Sequence, residues 1–390
     1  MKEIICMYIY TTMILVTGGT GLVGSHLLRH LVQAGEKVRA LHRPGTDTAG
    51  AEEVFAYYDH PFGEVNEAGA SGTVGTAPGA AGSEDDGAIA GTGNNEATGA
   101  SASAPAAELF SRIEWFPADM TDQYSLNEAM QGISKVYHCA AIISFDPSER
   151  AEVIKSNIDI TATIVNLCLE HNISKLCHVS SVAALGSRPD NEPVTEEDLW
   201  RPSKNRHAYS ISKYHSEMEV WRGIEEGLDA VIVNPSVILG PGNWHRGSAK
   251  FFTTIRKGMK YYTEGMTGFV DVRDVCRCMI TLMESDTSKE RFILNSENLY
   301  YRDLFNMIAD ALGRPRPSKH ATRRLAEIGW RLEWLRSKLT FSKPLLTRDT
   351  ARSGRNITRY SNQKIRETLG IEFIPISDTI SWTASLLPRR

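Results

Sequence analysis

Cysteine is scarce, with six residues in 390, too few for a disulfide scaffold. Cys139, Cys168 and Cys177 lie inside apolar runs. Cys276 and Cys278 flank Arg277 with no second ligand pair at zinc spacing. They read as reduced thiols of a cytoplasmic protein, and no metal site is expected. No run reaches the ~18 uninterrupted apolar residues of a membrane span. The opening residues only faintly imitate a signal peptide, because no small-residue cleavage site precedes Met13–Thr17. Residues 1–12 are read as an N-terminal extension. Positive charge is missing from Pro44 to Ser111, which holds eleven Asp or Glu and no Lys or Arg. Against a net charge of −4, the rest of the chain is therefore positive by seven. Its basic residues form no recognised nucleic-acid-binding motif, so nucleic acid is not expected as a partner. Aromatic residues are absent from Gly63 to Ala107, where ten Gly and thirteen Ala crowd 45 positions without helical or strand period. Such a segment cannot bury enough apolar surface to offset its ordering entropy, and it is read as a disordered insertion.

What remains alternates strand and helix patterns. Met13–Thr17 is a short apolar run, the mark of a strand buried on both faces. Gly18-Gly19-Thr20-Gly21-Leu22-Val23-Gly24 follows. Leu27, Leu28, Leu31 and Val32 then recur at helical spacing, and Lys37–His42 is a second strand. Further strands are expected at Ile113–Asp119, Lys135–Ile143, Lys175–Ser180 and Asp229–Leu239. Helices are expected at Ser125–Met130, Glu152–His171 and His207–Gly227. This alternation predicts an α/β fold with a doubly wound parallel sheet. The division expected is a dinucleotide-binding domain over 13–239 and a smaller, mainly substrate-binding lobe over 240–390.

Gly18, Gly21 and Gly24 sit between a strand and a helix. There glycine permits a tight turn and close approach of backbone to a diphosphate, which meets the free N–H groups of the helix. An acid at the end of the second strand would take the ribose hydroxyls of NAD; the sequence has His42-Arg43. The planar fork of Arg43 suits a 2′-phosphate, so NADP is expected, with NAD possible. Tyr209 and Lys213 are four apart and share a helix face. A neighbouring ammonium favours phenolate and is expected to lower the tyrosine pKa, making it an acid/base near neutrality. Ser181 ends the fifth strand, at the edge where parallel sheets bind ligands.

Together, TGGTGLVG, ADMTD, HCAA, VSSVAALG, YSISK and NPSVILGPG resemble the extended short-chain dehydrogenase/reductase superfamily, often called the NAD-dependent epimerase/dehydratase family. The resemblance runs from Met13 to at least Asp274, apart from the insertion. It implies that Tyr209 is the general acid/base, that Lys213 lowers its pKa and holds the nicotinamide ribose, and that Ser181 orients the substrate oxygen. It implies a Rossmann sheet in which Gly18, Gly21 and Gly24 pass the diphosphate and Leu22 and Val23 offer N–H groups. Asp119 and Met120 would flank the adenine, and Ala140 and Ala141 would line the cofactor. Phe269–Asp274 resembles the family's structural marker beyond the sheet, and pairing of two copies through the helices at 152–171 and 207–227 is implied.

Departures from the nucleotide-sugar members narrow the reaction. Where those often carry Arg and Asn for a sugar diphosphate, this sequence has Asn234 and Val237, and valine cannot donate to a phosphate. Where sugar dehydratases follow the catalytic hydroxyl with an acidic pair, it has Val182-Ala183. Asn234-Pro235 with Arg43 looks more like the dihydroflavonol reductase, aldehyde reductase and 3β-hydroxysteroid dehydrogenase branches. The expectation is hydride transfer between nicotinamide and a carbonyl or alcohol on a small, largely apolar substrate. A nucleotide-sugar epimerase and a non-catalytic dinucleotide-binding protein are the alternatives. His26 and His30 are expected on the exposed face of the first helix, and His207 facing solvent at a helix start. Arg323–Leu339 is basic, with Leu325, Ile328, Leu332 and Leu335 in one stripe. It is read as a lid helix over the substrate pocket, with contact to a membrane surface as the less favoured reading.

Overall fold

The computed structural model describes residues 13–60, 104–142, 149–188, 192–203, 207–340 and 354–388. The N-terminal extension and most of the Gly/Ala-rich insertion lie outside the described residues. The last residues assigned to the insertion do not belong to it: Ala106 and Ala107 open a helix, and Ala106 is buried in the core.

The first half runs β1 (Met13–Thr17), α1 (Leu22–Gln33), β2 (Lys37–His42), α2 (Ala49–Ala56), α3 (Ala106–Ser111), β3 (Glu114–Pro117), α4 (Gln123–Ala129), β4 (Ile133–His138), α5 (Arg150–Glu170), β5 (Lys175–Val179) and α6 (Ala208–Glu225). Then come β6 (Ala230–Pro235), β7 (Val237–Leu239), α7 (Ala249–Arg256), β8 (Tyr261–Tyr262), β9 (Met266–Asp271), α8 (Val272–Glu284), β10 (Glu290–Leu294), β11 (Glu297–Tyr300), α9 (Tyr301–Ala311), β12 (Lys319–His320), α10 (Arg323–Thr340), α11 (Gln363–Leu369) and α12 (Ile376–Ser385).

Seven strands form one parallel sheet in the order β10-β6-β5-β4-β1-β2-β3. Strands covered on both faces read as continuous apolar runs, and β5 and β6 are buried at every position. One core cluster packs α1 and α8 against a face of the sheet, and the other packs α4, α5 and α6 against the opposite face. Chain order reverses between β1 and β4, which opens a crevice at their carboxyl ends.

Two features depart from expectation. The run Asp229–Leu239 is two strands: β6 stays in the main sheet, and β7 leaves it to pair with β9 in a three-stranded sheet completed by β11. The break falls at Pro235-Ser236, where proline has no N–H to continue a ladder. In addition, β10 returns to the main sheet beside β6, so residues 240–390 contribute an edge strand to it. Among the described residues no helix is long and apolar enough to cross a membrane.

Candidate active site

The turn after β1 lies against the loop after β4. Gly18 adopts φ +71, and a Cβ there would meet the Ala140 N and Cα at 2.9 Å. A Cβ on Gly24 would meet the Gly18 carbonyl oxygen at 2.1 Å. Only glycine allows both approaches. Gly21 is the N-cap of α1 and brings no capping side chain, and no acid occupies the first turn. The N–H groups of Leu22 and Val23, with the positive end of the helix dipole, are thereby left for an anion. This cradle fits a dinucleotide diphosphate.

The crevice walls are tied from below. Thr17 Oγ1 accepts from the Ala140 N–H (3.2 Å) and shares a hydrogen bond with His138 Nδ1 (2.8 Å). Asn157 of α5 clamps the Ile142 backbone: its Oδ1 accepts from Ile142 N (2.7 Å) and its Nδ2 donates to Ile142 O (2.9 Å). The same Nδ2 donates to Ser212 Oγ of α6 (3.2 Å). Ala140 and Ala141 are therefore held at the crevice. On the far side Arg43 is exposed at the end of β2. Its charge reaches Asp119, whose carboxyl is held low mainly by hydrogen bonds from Thr121 and further by Arg43. Met120 packs its side chain onto the core cluster beneath.

Ser181, Tyr209 and Lys213 meet where β5 ends. Ser181 is 9% exposed and its Oγ accepts from the Ala183 N–H (3.2 Å). Tyr209 is half-buried and hydrogen-bonds the Ser181 side chain. Lys213 is buried, and its Nζ donates to the Val179 carbonyl at 2.8 Å. Burial brings the ammonium down to about 8, opposed by Cys139 and Glu217. The tyrosine corrects an expectation: its pKa is raised, not lowered. Burial dominates, and the hydrogen bond from Ser181 offsets only part of it. Lys213 is bonded to the strand end instead.

His26 corrects another. It is fully buried, sharing hydrogen bonds with Tyr58 Oη (2.7 Å) and the Pro241 carbonyl (2.9 Å). The ring of Trp382 from α12 closes over it. Burial pushes it down to about 4. His30 is half-buried and also reaches Tyr58 Oη, at 3.2 Å. The face of α1 expected to be solvated is covered by two segments distant in sequence. His207 is half-buried at the start of α6. Leu325 and Ile328, assigned to the stripe of a lid, are 41% and 55% exposed and belong to no core cluster. Among the described residues no group of three metal-ligating side chains is close enough to hold an ion.

Sequence reasoning missed Asn157, Glu217 and Arg291. Glu217 accepts from Ser180 Oγ and Asn234 Nδ2 and pairs with Arg291. A signal for it existed, because positions 209, 213 and 217 share one helix face. For Arg291 there was none, since its partners are remote in sequence.

Residues 14–60 and 68–295 match the NAD dependent epimerase/dehydratase family. The chain belongs to this family. The enzyme class that goes with it is NAD(P)-dependent oxidoreductase, and the cofactor is a nicotinamide dinucleotide. Sterol demethylase protein B of Methylococcus capsulatus is similar, at 25% identity over 309 residues, 78% of this chain and 75% of that protein. Cinnamoyl-CoA reductase 1 of Petunia hybrida is 24% identical over 291 residues, 72% of this chain and 78% of that protein. The solved structure of gox2253 superposes with TM-score 0.70 at 25% identity, covering 96% of this chain and 97% of that one. This epimerase/dehydratase family member thus shares its fold over nearly the full chain.

Proposed function

We propose that the protein is an NADP(H)-preferring reductase of a ketone or aldehyde on a small, largely apolar molecule. The observation that carries this reading is the meeting of Ser181, Tyr209 and Lys213 at the carboxyl end of β5, beside the β1/β4 crevice. When bound, the nicotinamide supplies the hydride that reduces the carbonyl carbon. Tyr209 donates its phenolic proton to the oxygen as that carbon is reduced. Ser181 fixes the same oxygen by hydrogen bonding, and the Lys213 ammonium, bonded to the Val179 carbonyl beside the crevice, holds the nicotinamide ribose. Tyr209, already protonated at neutral pH as an ordinary phenol, is raised further by burial, which suits an acid waiting for a developing alkoxide. Leu22 and Val23 bind the diphosphate through their N–H groups, and Gly18, Gly21 and Gly24 let it approach. Ala140 and Ala141 line the cofactor, with Asp119 and Met120 beside the adenine. Arg43, at the end of β2 where an acid would select NAD, takes the 2′-phosphate.

The family also includes epimerases. Against a nucleotide-sugar substrate, Asn234 is fully buried and its Nδ2 is committed to the Ser181 carbonyl and Glu217, so it cannot ligate a sugar diphosphate. The names of the similar proteins, a sterol demethylase component and a cinnamoyl-CoA reductase, support an apolar or aromatic skeleton.

The test uses NADPH deuterated at C4 with a panel of aromatic and alicyclic ketones and aldehydes. Deuterium in the product alcohol, in one-to-one ratio with NADPH consumed, is expected. Epimerisation of a UDP-sugar without net NADPH consumption, and inertness toward every carbonyl, would contradict the reading.

A further inference from the structure

Glu217 lies one helical turn beyond Lys213, and its side chain is wholly removed from solvent. Its Oε2 accepts from Ser180 Oγ at 2.7 Å and from Asn234 Nδ2 at 2.9 Å. Its Oε1 accepts from Arg291 Nη1 at 2.9 Å and from Trp221 Nε1 at 3.4 Å. Arg291 is itself fixed to the Glu196 carbonyl through Nε at 2.9 Å. Asn234 Nδ2 also donates to the Ser181 carbonyl at 3.0 Å. One carboxylate thus holds both residues that follow β5, Ser180 directly and Ser181 through Asn234. A buried carboxylate is costly unless paired and fully hydrogen-bonded, and this one is both.

The same carboxylate bears on Lys213. The groups whose charges couple to this ammonium come from three elements. Cys139 and His138 stand at the end of β4, His178 stands in β5, and Glu217 stands on α6, which also carries Tyr209. Burial keeps Cys139 protonated and both histidines neutral at pH 7. That leaves the Glu217 carboxylate, paired with Arg291, as the charge that opposes desolvation of Lys213.

We propose that Glu217 is a positioning residue for the reduction: through Ser180 and Asn234 it fixes the Ser181 segment, and its carboxylate stands one helical turn from Lys213 on the same face of α6. This rests on the reductase reading above. Arg291 anchors the carboxylate without touching any group of the reaction centre.

The experiment is the pH profile of kcat/KM for NADPH-dependent carbonyl reduction, with NADPH affinity read by protein fluorescence and melting temperature by calorimetry. In the parent the rate should fall as pH rises through about 8, where Lys213 loses its proton. Glu217→Gln should move this alkaline limb down by about 1 pH unit, the effect of one neighbouring opposite charge. NADPH affinity should weaken along the same limb. If Glu217→Gln unfolds because Arg291 is left unpaired, the double variant Glu217→Gln/Arg291→Gln removes both charges, and a shift in the same direction but smaller is expected. A limb that stays in place while melting temperature falls would mark a merely structural role and overturn the proposal. So would a parent profile flat through pH 9. A parent inactive on every carbonyl would instead overturn the reductase reading.

Discussion

Arg43 and Lys213 each carry a charge whose value depends on where the fold puts it. Arg43 is exposed at the end of β2, with Asp119 within reach of its field. NADPH is expected to raise the melting temperature more than NADH at equal concentration, since ligand stabilisation follows affinity. Arg43→Glu should reverse that order in a thermal-shift assay; equal shifts for both cofactors in both proteins would rule out the 2′-phosphate role. Lys213→Ala should weaken NADPH binding as well as turnover. Ser181→Ala should cost less rate than loss of the acid, because it removes an orienting hydrogen bond and leaves the proton source. The Lys213 effect and that of Tyr209→Phe should not add, as coupled residues do not. Steady-state rates and fluorescence titrations on the single and double variants check this. The types and spacing of these residues could be read from the sequence. The raised pKa of Tyr209 could not, because it comes from burial that only the assembled fold creates.

The β1–α1 turn is the element on which cofactor binding depends. A Cβ at Gly24 would lie 2.1 Å from the Gly18 carbonyl oxygen, which is backbone and cannot swing aside. Gly24→Ala should therefore push α1 off β1, with a loss of about 1–3 kcal/mol typical of overpacking. Urea denaturation would show a lowered midpoint, and dinucleotide titration a loss of binding. Unchanged stability and affinity would mean the close approach is not needed. This turn was legible because its glycines, strand and helix are contiguous. The split of β6 from β7 was not, since both halves are apolar and only their partners, β5 and β9, distinguish them. The place of β10 was hidden for the same reason: its register with β6 joins residues about sixty apart, Glu290 with Val231. The end of the insertion was hidden because the alanines at 104–107 look like the tract before them until α3 is seen packed.

Across the fold, three buried histidines set how stability responds to pH. His26 is pushed down to about 4 and His138 to about 3, and His178 lies well below its ordinary value, all chiefly by burial. The unfolded chain protonates such rings near 6.5, so from there downward it binds more protons than the folded chain and stability falls. Asp274 works the other way: burial raises it to about 7, so it destabilises the fold as pH rises from its ordinary carboxylate range to about 7. Each group contributes up to about 1.4 kcal/mol per pH unit, and three histidines outweigh one aspartate. The urea midpoint should therefore drop from pH 7 to pH 5; a rise over that range would contradict the burial described. Of this pattern the sequence showed little, because His26 owes its burial to Pro241 and Trp382, more than 200 positions away. The parallel sheet and the crevice at its carboxyl edge were legible throughout, since strand runs and helix periods alternate along the chain. The role of Tyr209 is tested most directly by one comparison: turnover of a carbonyl substrate with NADPH by the parent and by Tyr209→Phe, with NADPH affinity measured alongside. Loss of the phenolic proton should leave affinity and folding intact and lower turnover by about 10²–10⁴-fold. A Tyr209→Phe protein that turns over every substrate like the parent would show that the proton comes from elsewhere.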